Sequence, residues 1–276
     1  HGRFGVVGVR GAVIAVLVAG GLSMLFAGPG FAATQAVFYG LPVIVICRQA
    51  LLSRSDAQGQ AHWYPPGHLL LWLAGMAVAG LVFGLAGLSL FGDGLMAYLN
   101  AVMAPFADQF PNAEQREVLM ALVEYLPAFF AVSWTLGLIF NGVLAQGLLV
   151  RFGYNIAPSP KLADISLPMA WIGTLLAALL LSSMTGLMGV FGKTLAAIAI
   201  VPYFVLGLGV VHGFFRPWKG RLGILILFYG LLFLWPLPVL VAGLGLLNAV
   251  LRLARGNKSS NTGDAGDSGD SADKEE

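Results

Sequence analysis

Long apolar stretches alternate with short polar loops along most of the chain. The clearest covers residues 129–150, carries two amide side chains, and ends at Arg151 before a loop that contains prolines. A helix that crosses the hydrocarbon core of a bilayer needs about 20 apolar residues, and this stretch is long enough. The pattern therefore predicts an all-α fold, a polytopic integral membrane helical bundle that occupies residues 1–255.

Glycine, proline or charged residues divide the apolar sequence into about eight membrane spans. We predict them at about residues 4–26, 31–51, 68–91, 126–150, 166–187, 194–215, 222–235 and 236–253. The first run superficially resembles a signal peptide, but its length and the span that follows favour a retained membrane helix. The last two share one apolar run around Trp235-Pro236, so either one span or a tight two-span hairpin fits that run.

The segment 92–126 has a different pattern, which predicts an amphipathic loop on the membrane surface. Its apolar side chains recur at helical spacing: Leu95, Leu99, Val102, Phe106 and Phe110. Pro111 ends that helix. Asn112 and Gln115 then resemble a capping box, which predicts a second short helix over residues 113–126.

Basic residues predict how the chain threads through the membrane, because cytoplasmic loops are enriched in Lys and Arg. With about eight spans and a cytoplasmic N-terminus, all of the 15 Lys and Arg residues except Arg116 and Lys193 face the cytoplasm. Seven spans would move the cluster of Arg252, Arg255 and Lys258 to the outer face. We therefore predict that both termini are cytoplasmic and that the acidic loop 92–126 lies outside.

Composition excludes several classes of protein. Hydrophobic residues make up 58% of the chain and charged residues 10%, whereas a soluble domain carries about 25% charged residues. A net charge of +2 is too small to indicate nucleic-acid binding, and the single cysteine, Cys47, cannot form an internal disulfide or a cysteine metal cluster. The tail 256–276 is polar and acidic without an apolar anchor, so we expect it to be disordered.

Neither catalysis nor proton transport is indicated by the residues inside the spans. No Asp or Glu lies well inside any predicted span, although an ion path or proton relay normally uses such groups. Metalloprotease, hydrolase and phosphate-binding motifs are also missing. We therefore expect no enzymatic activity, no metal, no cofactor and no catalytic residue.

Uncharged polar side chains are the remaining candidates for a site within the spans. They are Gln35, Tyr39, Asn141, Gln146 and Tyr203. One hypothesis is that these groups form hydrogen bonds between helices, each worth roughly 1 kcal/mol or less. The other is that they line a pocket for a small uncharged solute, in which case they must converge on a cavity.

The first span carries small residues four positions apart, such as Gly8/Ala12 and Ala15/Ala19. Small side chains let another helix approach closely in a membrane. The partner is either a helix of the same chain or a partner subunit in the membrane.

Several short motifs together resemble the YybS-like family of bacterial multi-pass membrane proteins, a domain of unknown function. They are Trp63-Tyr64-Pro65-Pro66-Gly67, Asn141 with Leu144-Ala145-Gln146, Pro158-Ser159-Pro160, and Phe228-Tyr229 with Gly243-Leu244-Gly245. The likeness covers most of residues 1–255 and implies a multi-pass protein of the bacterial inner membrane. It assigns no catalytic residues.

That family is distantly similar to the S components of energy-coupling-factor transporters, which dock a coupling subunit through an Ala-x-x-x-Ala pattern. Residues 15–19, Ala15-Val16-Leu17-Val18-Ala19, match this pattern. The resemblance implies a solute-binding or transport-associated protein, in contact with the bilayer and a partner subunit. The alternative is a membrane scaffold or assembly factor without a small-molecule ligand.

Overall fold

The computed structural model describes residues 3–162 and 165–264. In the first part, the elements are α1 (Arg3–Gln35), a π-helix (Ala36–Gly40), α2 (Leu41–Ala50), β1 (Ser53–Ser55), β2 (Ala61–Trp63), α3 (Pro66–Phe91), α4 (Leu95–Ala107), α5 (Ala113–Ala121), a 3₁₀ turn (Val123–Tyr125) and α6 (Leu126–Arg151). After them come α7 (Ala170–Ser182), α8 (Gly186–Phe215), α9 (Arg221–Leu231) and α10 (Leu237–Asp264). The chain divides into two compact units, His1–Pro202 and Tyr203–Glu276.

Five helical segments among the described residues are long and apolar enough to cross a membrane, which supports an all-α membrane protein. They are Gly8–Ala50, Pro66–Leu90, Ala113–Arg151, Gly186–Phe215 and Leu237–Ala254. Three apolar helices are shorter: Leu95–Ala107, Ala170–Ser182 and Arg221–Leu231. The number of chain crossings therefore depends on how these segments pair.

The first candidate segment folds back on itself. Gly28 interrupts the helix with φ 85° and ψ 172°, and Pro29 follows it. Beyond this break, Gly40 lies against Val16, whereas Gly8 lies against Leu51. Later residues of the first arm thus contact earlier residues of the second arm, so the two arms are antiparallel. This hairpin matches the predicted pair of spans at 4–26 and 31–51.

The third and later helices of the first unit pack around small buried residues. Ala74 and Ala77 of α3 contact Ile198 of α8, and the partly buried Trp134 and Trp171 pack against this cluster. Alanine at the contact allows the helices to approach closely, as expected where lipid rather than water surrounds the bundle.

Helices α7 and α8 form a tight antiparallel pair. The indole Nε1 of Trp171, early in α7, donates a hydrogen bond to the carbonyl of Ala199 at 3.0 Å. At the other end of the pair, Gly192 of α8 packs so closely on the backbone at the end of α7 that no side chain would fit there. The turn between them closes at Gly186, with φ 67°, so α8 begins well before the predicted start at 194.

The segment 92–126 forms helices at the predicted places. Leu95 and Leu99 pack against Val123 and Val190, which docks α4 on the bundle. Farther along the same apolar face, Val102, Phe106 and Phe110 are exposed. Only the first part of the predicted apolar stripe therefore packs against protein.

The next helix is capped by Asn112 as predicted, but without the reciprocal bond from Gln115 that a capping box would add. Asn112 accepts a hydrogen bond from the Glu114 amide at 2.9 Å, and α5 begins at Ala113. This helix ends at Ala121 rather than 126, because a 3₁₀ turn leads into α6. The bounds of α6, Leu126–Arg151, agree with the predicted span.

The second unit contradicts the predicted hairpin of two spans over 222–253. Gly207 lies against Val241, and Tyr203 lies against Gly245, so α10 runs antiparallel to the C-terminal part of α8. An intervening span would make these two helices parallel. α9 has 11 residues, about 16 Å of helix, against a hydrocarbon core of about 30 Å. The short helix and this packing therefore favour a single span, Leu237–Ala254, in the run 222–253.

The last helix continues into the predicted tail. α10 extends to Asp264, so residues 256–264 are helical, whereas the sequence predicts disorder from 256 onward. The apolar part that qualifies as a membrane span ends at Ala254. Residues 265–276 lie outside the described residues, and their disorder stays a prediction.

Candidate functional site

The first two predicted site residues lie at a break in regular helix geometry. Gln35 ends α1, and Tyr39 lies in the π-helix that follows. Such turns are frequent at functional sites. Pro42 stands four positions after Phe38 and has no N–H, so the Phe38 carbonyl lacks its usual helical donor. Here the indole Nε1 of Trp134 in α6 donates a hydrogen bond to the carbonyl of Phe38 at 2.9 Å. The sequence analysis missed Trp134, although an indole N–H inside a span needs a partner.

The two side chains at this break differ in their surroundings. The Oε1 atom of Gln35 is buried and has no hydrogen-bond partner among the described residues. This oxygen lies 3.9 Å from the position that a Cβ atom would take at Gly20. The amide of Gln35 therefore points toward the opposite arm of the hairpin. Tyr39, by contrast, is half exposed at 50%. Of these two residues, Gln35 is therefore the one with a buried hydrogen-bond acceptor that lacks a donor.

Gln146 is used to hold a loop. Its Nε2 donates hydrogen bonds to the carbonyl of Ala157 at 3.1 Å and to the hydroxyl of Ser159 at 3.3 Å. Both acceptors lie in the segment after α6, which contains the Pro158-Ser159-Pro160 motif. These contacts support the hypothesis that Gln146 pairs within the protein.

Asn141 has the opposite environment. Its side chain is exposed, and the described part of the chain offers it no side-chain hydrogen bond. It precedes Arg151 by ten positions in α6, about 15 Å along the helix, which is near the middle of the span. An amide at this depth has no water to bind. In a membrane-spanning α6, the exposed amide of Asn141 would therefore face lipid without a partner.

Tyr203 belongs to the second unit. The whole residue is buried, and its hydroxyl has no partner among the described residues. Its backbone lies against Gly245 of α10. In the first unit, only Gln35 of the four predicted residues has a buried, unpaired polar atom, so they do not form one polar pocket.

The small residues of the first arm are divided between two faces. Gly8 lies against Leu51, and Ala12 is buried, so this part of the pattern packs inside the hairpin. Ala15 is exposed and Ala19 is half-buried. The Ala15/Ala19 pair thus remains accessible to another helix.

An open groove of about 470 Å³ follows one face of α3. We call it the α3 groove; it is lined by Tyr64, His68, Leu71, Trp72, Gly75, Met76 and Ala79. The Nε1 of Trp72 donates a hydrogen bond to the Tyr64 hydroxyl at 3.1 Å, and the Tyr64 ring meets His68 edge-on at 5.9 Å. None of the five predicted ligand residues lines this groove.

A short β-hairpin precedes α3, and the sequence analysis did not predict it. Asp56 organises its tip, since its Oδ1 accepts hydrogen bonds from the amides of Gln60 at 2.8 Å and Gln58 at 3.0 Å. Its Oδ2 lies 2.9 Å from His62 Nε2. The hydrogen bond from His62, and then that from Gln60, hold the pKa of the Asp56 carboxyl below its usual value. Strands of three residues are too short for a periodic signal.

A second charged pair of the first unit joins α8 to the 3₁₀ turn before α6. Lys193 of α8 donates to Glu124 of the 3₁₀ turn, and the ammonium group sits 4.9 Å from the Tyr125 ring centre. The sequence analysis predicted Lys193 on the outer side of the membrane but named no partner for it. Among the described residues, no group of three His, Cys, Asp or Glu side chains could hold a metal ion.

Long apolar helices, antiparallel hairpins and buried alanine and glycine contacts define a polytopic helical membrane protein. The chain belongs to the family of predicted membrane proteins DUF2232, whose model matches residues 7–248. No curated protein and no solved structure matches the chain. Membership in a family of unknown function confirms the resemblance to such a family found from the sequence motifs, but similarity to transporter S components is not shown.

Proposed function

We propose that the protein is a scaffold or assembly factor of the bacterial inner membrane, which binds a transmembrane helix of a partner through the exposed face of α6. It acts without catalysis and without a cofactor. The observation that carries the proposal is the unpaired amide of Asn141 at the middle of a membrane span.

An amide that faces lipid is unfavourable, and a neighbouring helix relieves this by supplying a hydrogen bond. Such bonds between membrane helices contribute about 0.6–2 kcal/mol each. Gly137 and Gly142 flank Asn141, and neither has another group near the position of a side chain. A partner backbone can therefore approach α6 closely at the level of the amide.

Crosslinking in native membranes tests this function. A photo-reactive residue in place of Phe140, which is 66% exposed, should form a discrete protein adduct that mass spectrometry identifies. Asn141→Leu should abolish the adduct, because it removes the hydrogen-bonding group and keeps the apolar surface. Val143→Leu is the control, since Val143 is also 66% exposed and apolar. Adducts that are unchanged by Asn141→Leu, or that contain only lipid, would overturn the proposal.

A second candidate function is binding of a small uncharged solute, in association with a transport partner. The buried Oε1 of Gln35 favours it, because a buried acceptor without a partner suits a ligand with an N–H or O–H group. In this case the exposed Ala15 and half-buried Ala19 would be the surface for a membrane partner subunit.

Thermal-shift screening of detergent-purified protein tests the second function. A solute that binds the folded state raises the melting temperature in proportion to its binding free energy. Vitamins, nucleobases and isoprenoids form the panel, and Gln35→Leu should remove the shift that any of them produces. Thr34→Val is the matched control, since Thr34 is exposed and bonds its own helix at Gly30. If no solute in the panel shifts the wild-type protein, this candidate fails.

A further inference from the structure

We propose that the α3 groove is a binding site for a membrane glycerophospholipid. One acyl chain lies along the apolar part of the groove at Gly75, Met76 and Ala79, and the phosphate headgroup lies at Tyr64 and His68. The proposal is independent of the function of α6, because it concerns a different helix face.

The groove changes from polar to apolar along its length, as an amphipathic ligand requires. Tyr64 and His68 lie at the end where Pro65 begins the helix. Tyrosine and tryptophan favour the headgroup level of a bilayer, and Tyr64 and Trp72 are joined there by a hydrogen bond. Because Trp72 is the donor, the Tyr64 hydroxyl keeps its own proton available for a phosphate oxygen.

The apolar part has the dimensions of a lipid tail. From Leu71 to Ala79 the helix rises about 12 Å, which is most of one leaflet of a hydrocarbon core about 30 Å thick. Gly75 has no heavy atom near the position of a side chain, so its surface leaves room for an acyl chain against the helix backbone. Met76 provides a flexible side chain that adapts to such a chain.

Positive charge near the polar end suits a phosphate. Arg54 is exposed and stands opposite His62 in the β-hairpin, whose second strand ends next to Tyr64. The Tyr64 amide also donates a hydrogen bond to the carbonyl of Leu52 at 2.9 Å, which fixes the hairpin to the start of α3. Arg54 therefore lies in the hairpin that leads directly into the polar end of the groove.

A peptide occupant fits less well. An extended peptide along this face would carry unpaired backbone groups into the hydrocarbon layer, which is strongly unfavourable. A lipid has no such groups below its headgroup and is present at high concentration around the protein. The observations thus favour a phospholipid from the membrane over a peptide.

Native mass spectrometry with lipid extraction tests the site. We expect the purified wild-type protein to retain phospholipid, and Gly75→Leu to reduce the retained lipid about tenfold. Gly84→Leu is the matched control, because Gly84 is an exposed glycine of the same helix that also has open space around it. Equal elution profiles and melting temperatures of the two variants exclude misfolding as the cause. Equal lipid retention by wild type, Gly75→Leu and Gly84→Leu would overturn the proposal.

Headgroup recognition is tested with Arg54→Gln in nanodiscs that contain equal amounts of anionic and zwitterionic phospholipid. The variant should lose the preference for anionic lipid that we expect of the wild type, while it still retains lipid. Soluble inorganic phosphate at millimolar concentration should not displace the bound lipid, since the acyl chain supplies most of the contact. Displacement by phosphate alone, or the same lipid preference in both proteins, would contradict the proposed headgroup site.

Discussion

Single residues show why the polar candidates could be found from the sequence while their roles could not. The sequence alone identifies an amide such as Asn141 or Gln146 within an apolar run. Whether that amide pairs depends on groups far away in sequence, such as Ala157 for Gln146, and on the rotation of the helix about its axis. Trp134 was overlooked because its partner, the Phe38 carbonyl, lies 96 positions away in the sequence.

Trp134→Phe should destabilise the protein. It removes the indole N–H, so the Phe38 carbonyl loses a hydrogen bond in a region without water, at a cost of about 1 kcal/mol. Trp218→Phe is the control, since Trp218 is half exposed, its ring packs on Phe214 and Phe215, and its indole N–H has no hydrogen-bond partner among the described residues. Thermal unfolding in detergent compares the two variants. A melting temperature for Trp134→Phe equal to that of the control would contradict the importance of this bond.

Asp56 gives the β-hairpin a dependence on pH. Because the pKa of its carboxyl is lowered in the folded protein, the ionised form stabilises the hairpin above the ordinary carboxyl pKa of about 3.9. That stabilisation is lost as the pH falls through the lowered pKa. Relative to intrinsic rates, hydrogen exchange of the Gln58 and Gln60 backbone amides should stay slow at mildly acidic pH. It should speed up only when the pH falls below the ordinary carboxyl pKa.

Asp56→Asn provides the control for this prediction. The variant keeps the shape of the side chain but cannot ionise, so protection of the two amides should be weaker and should not depend on pH in this window. Protection that follows the same pH profile in wild type and variant would contradict the role of the carboxylate.

At the scale of elements, apolar length predicted the helices whose ends carry a local signal. α6 begins and ends where predicted because Pro127 follows its start and Arg151 closes it. The Gly28-Pro29 turn was equally clear. By contrast, the apolar run 222–235 predicts a span, whereas the helix within it has 11 residues. Apolar content reports the affinity of a segment for lipid and not the number of residues that stay helical.

Gly245→Leu should strongly disturb the contact between α8 and α10. Gly245 is buried against the backbone of Tyr203, so a leucine must push the helices apart at a cost of about 1–3 kcal/mol or more. Gly243→Leu, on the open face of the same helix, should unfold close to the wild-type temperature. Equal effects of the two substitutions, measured by thermal unfolding, would show that these helices are not packed as described.

At the scale of the whole molecule, the charge pattern and the helix packing disagree about the C-terminus. Placing all basic clusters on one face requires the segment 222–235 to cross the bilayer. The antiparallel packing of α10 on the C-terminal part of α8 leaves no crossing for α9. We give precedence to the packing, because two glycine contacts in the same register determine the direction of α10 relative to α8. The charge rule describes only a statistical excess of Lys and Arg in cytoplasmic loops.

This conclusion changes the expected threading. We then expect the loop 216–220 and Gly256 on opposite sides of the membrane, with α9 at the face that carries Arg216, Lys219 and Arg221. The cluster of Arg252, Arg255 and Lys258 becomes an exception to the enrichment of basic residues in the cytoplasm.

Labelling of single cysteines with a membrane-impermeant reagent tests this threading most directly. In a Cys47→Ser background, Gly220→Cys and Gly256→Cys are compared in intact cells and in inverted membrane vesicles; Gly220 has open space for the new side chain. We expect Gly220→Cys to be labelled only in inverted vesicles and Gly256→Cys only in intact cells. Labelling of both positions from the same side would contradict the antiparallel return of α10.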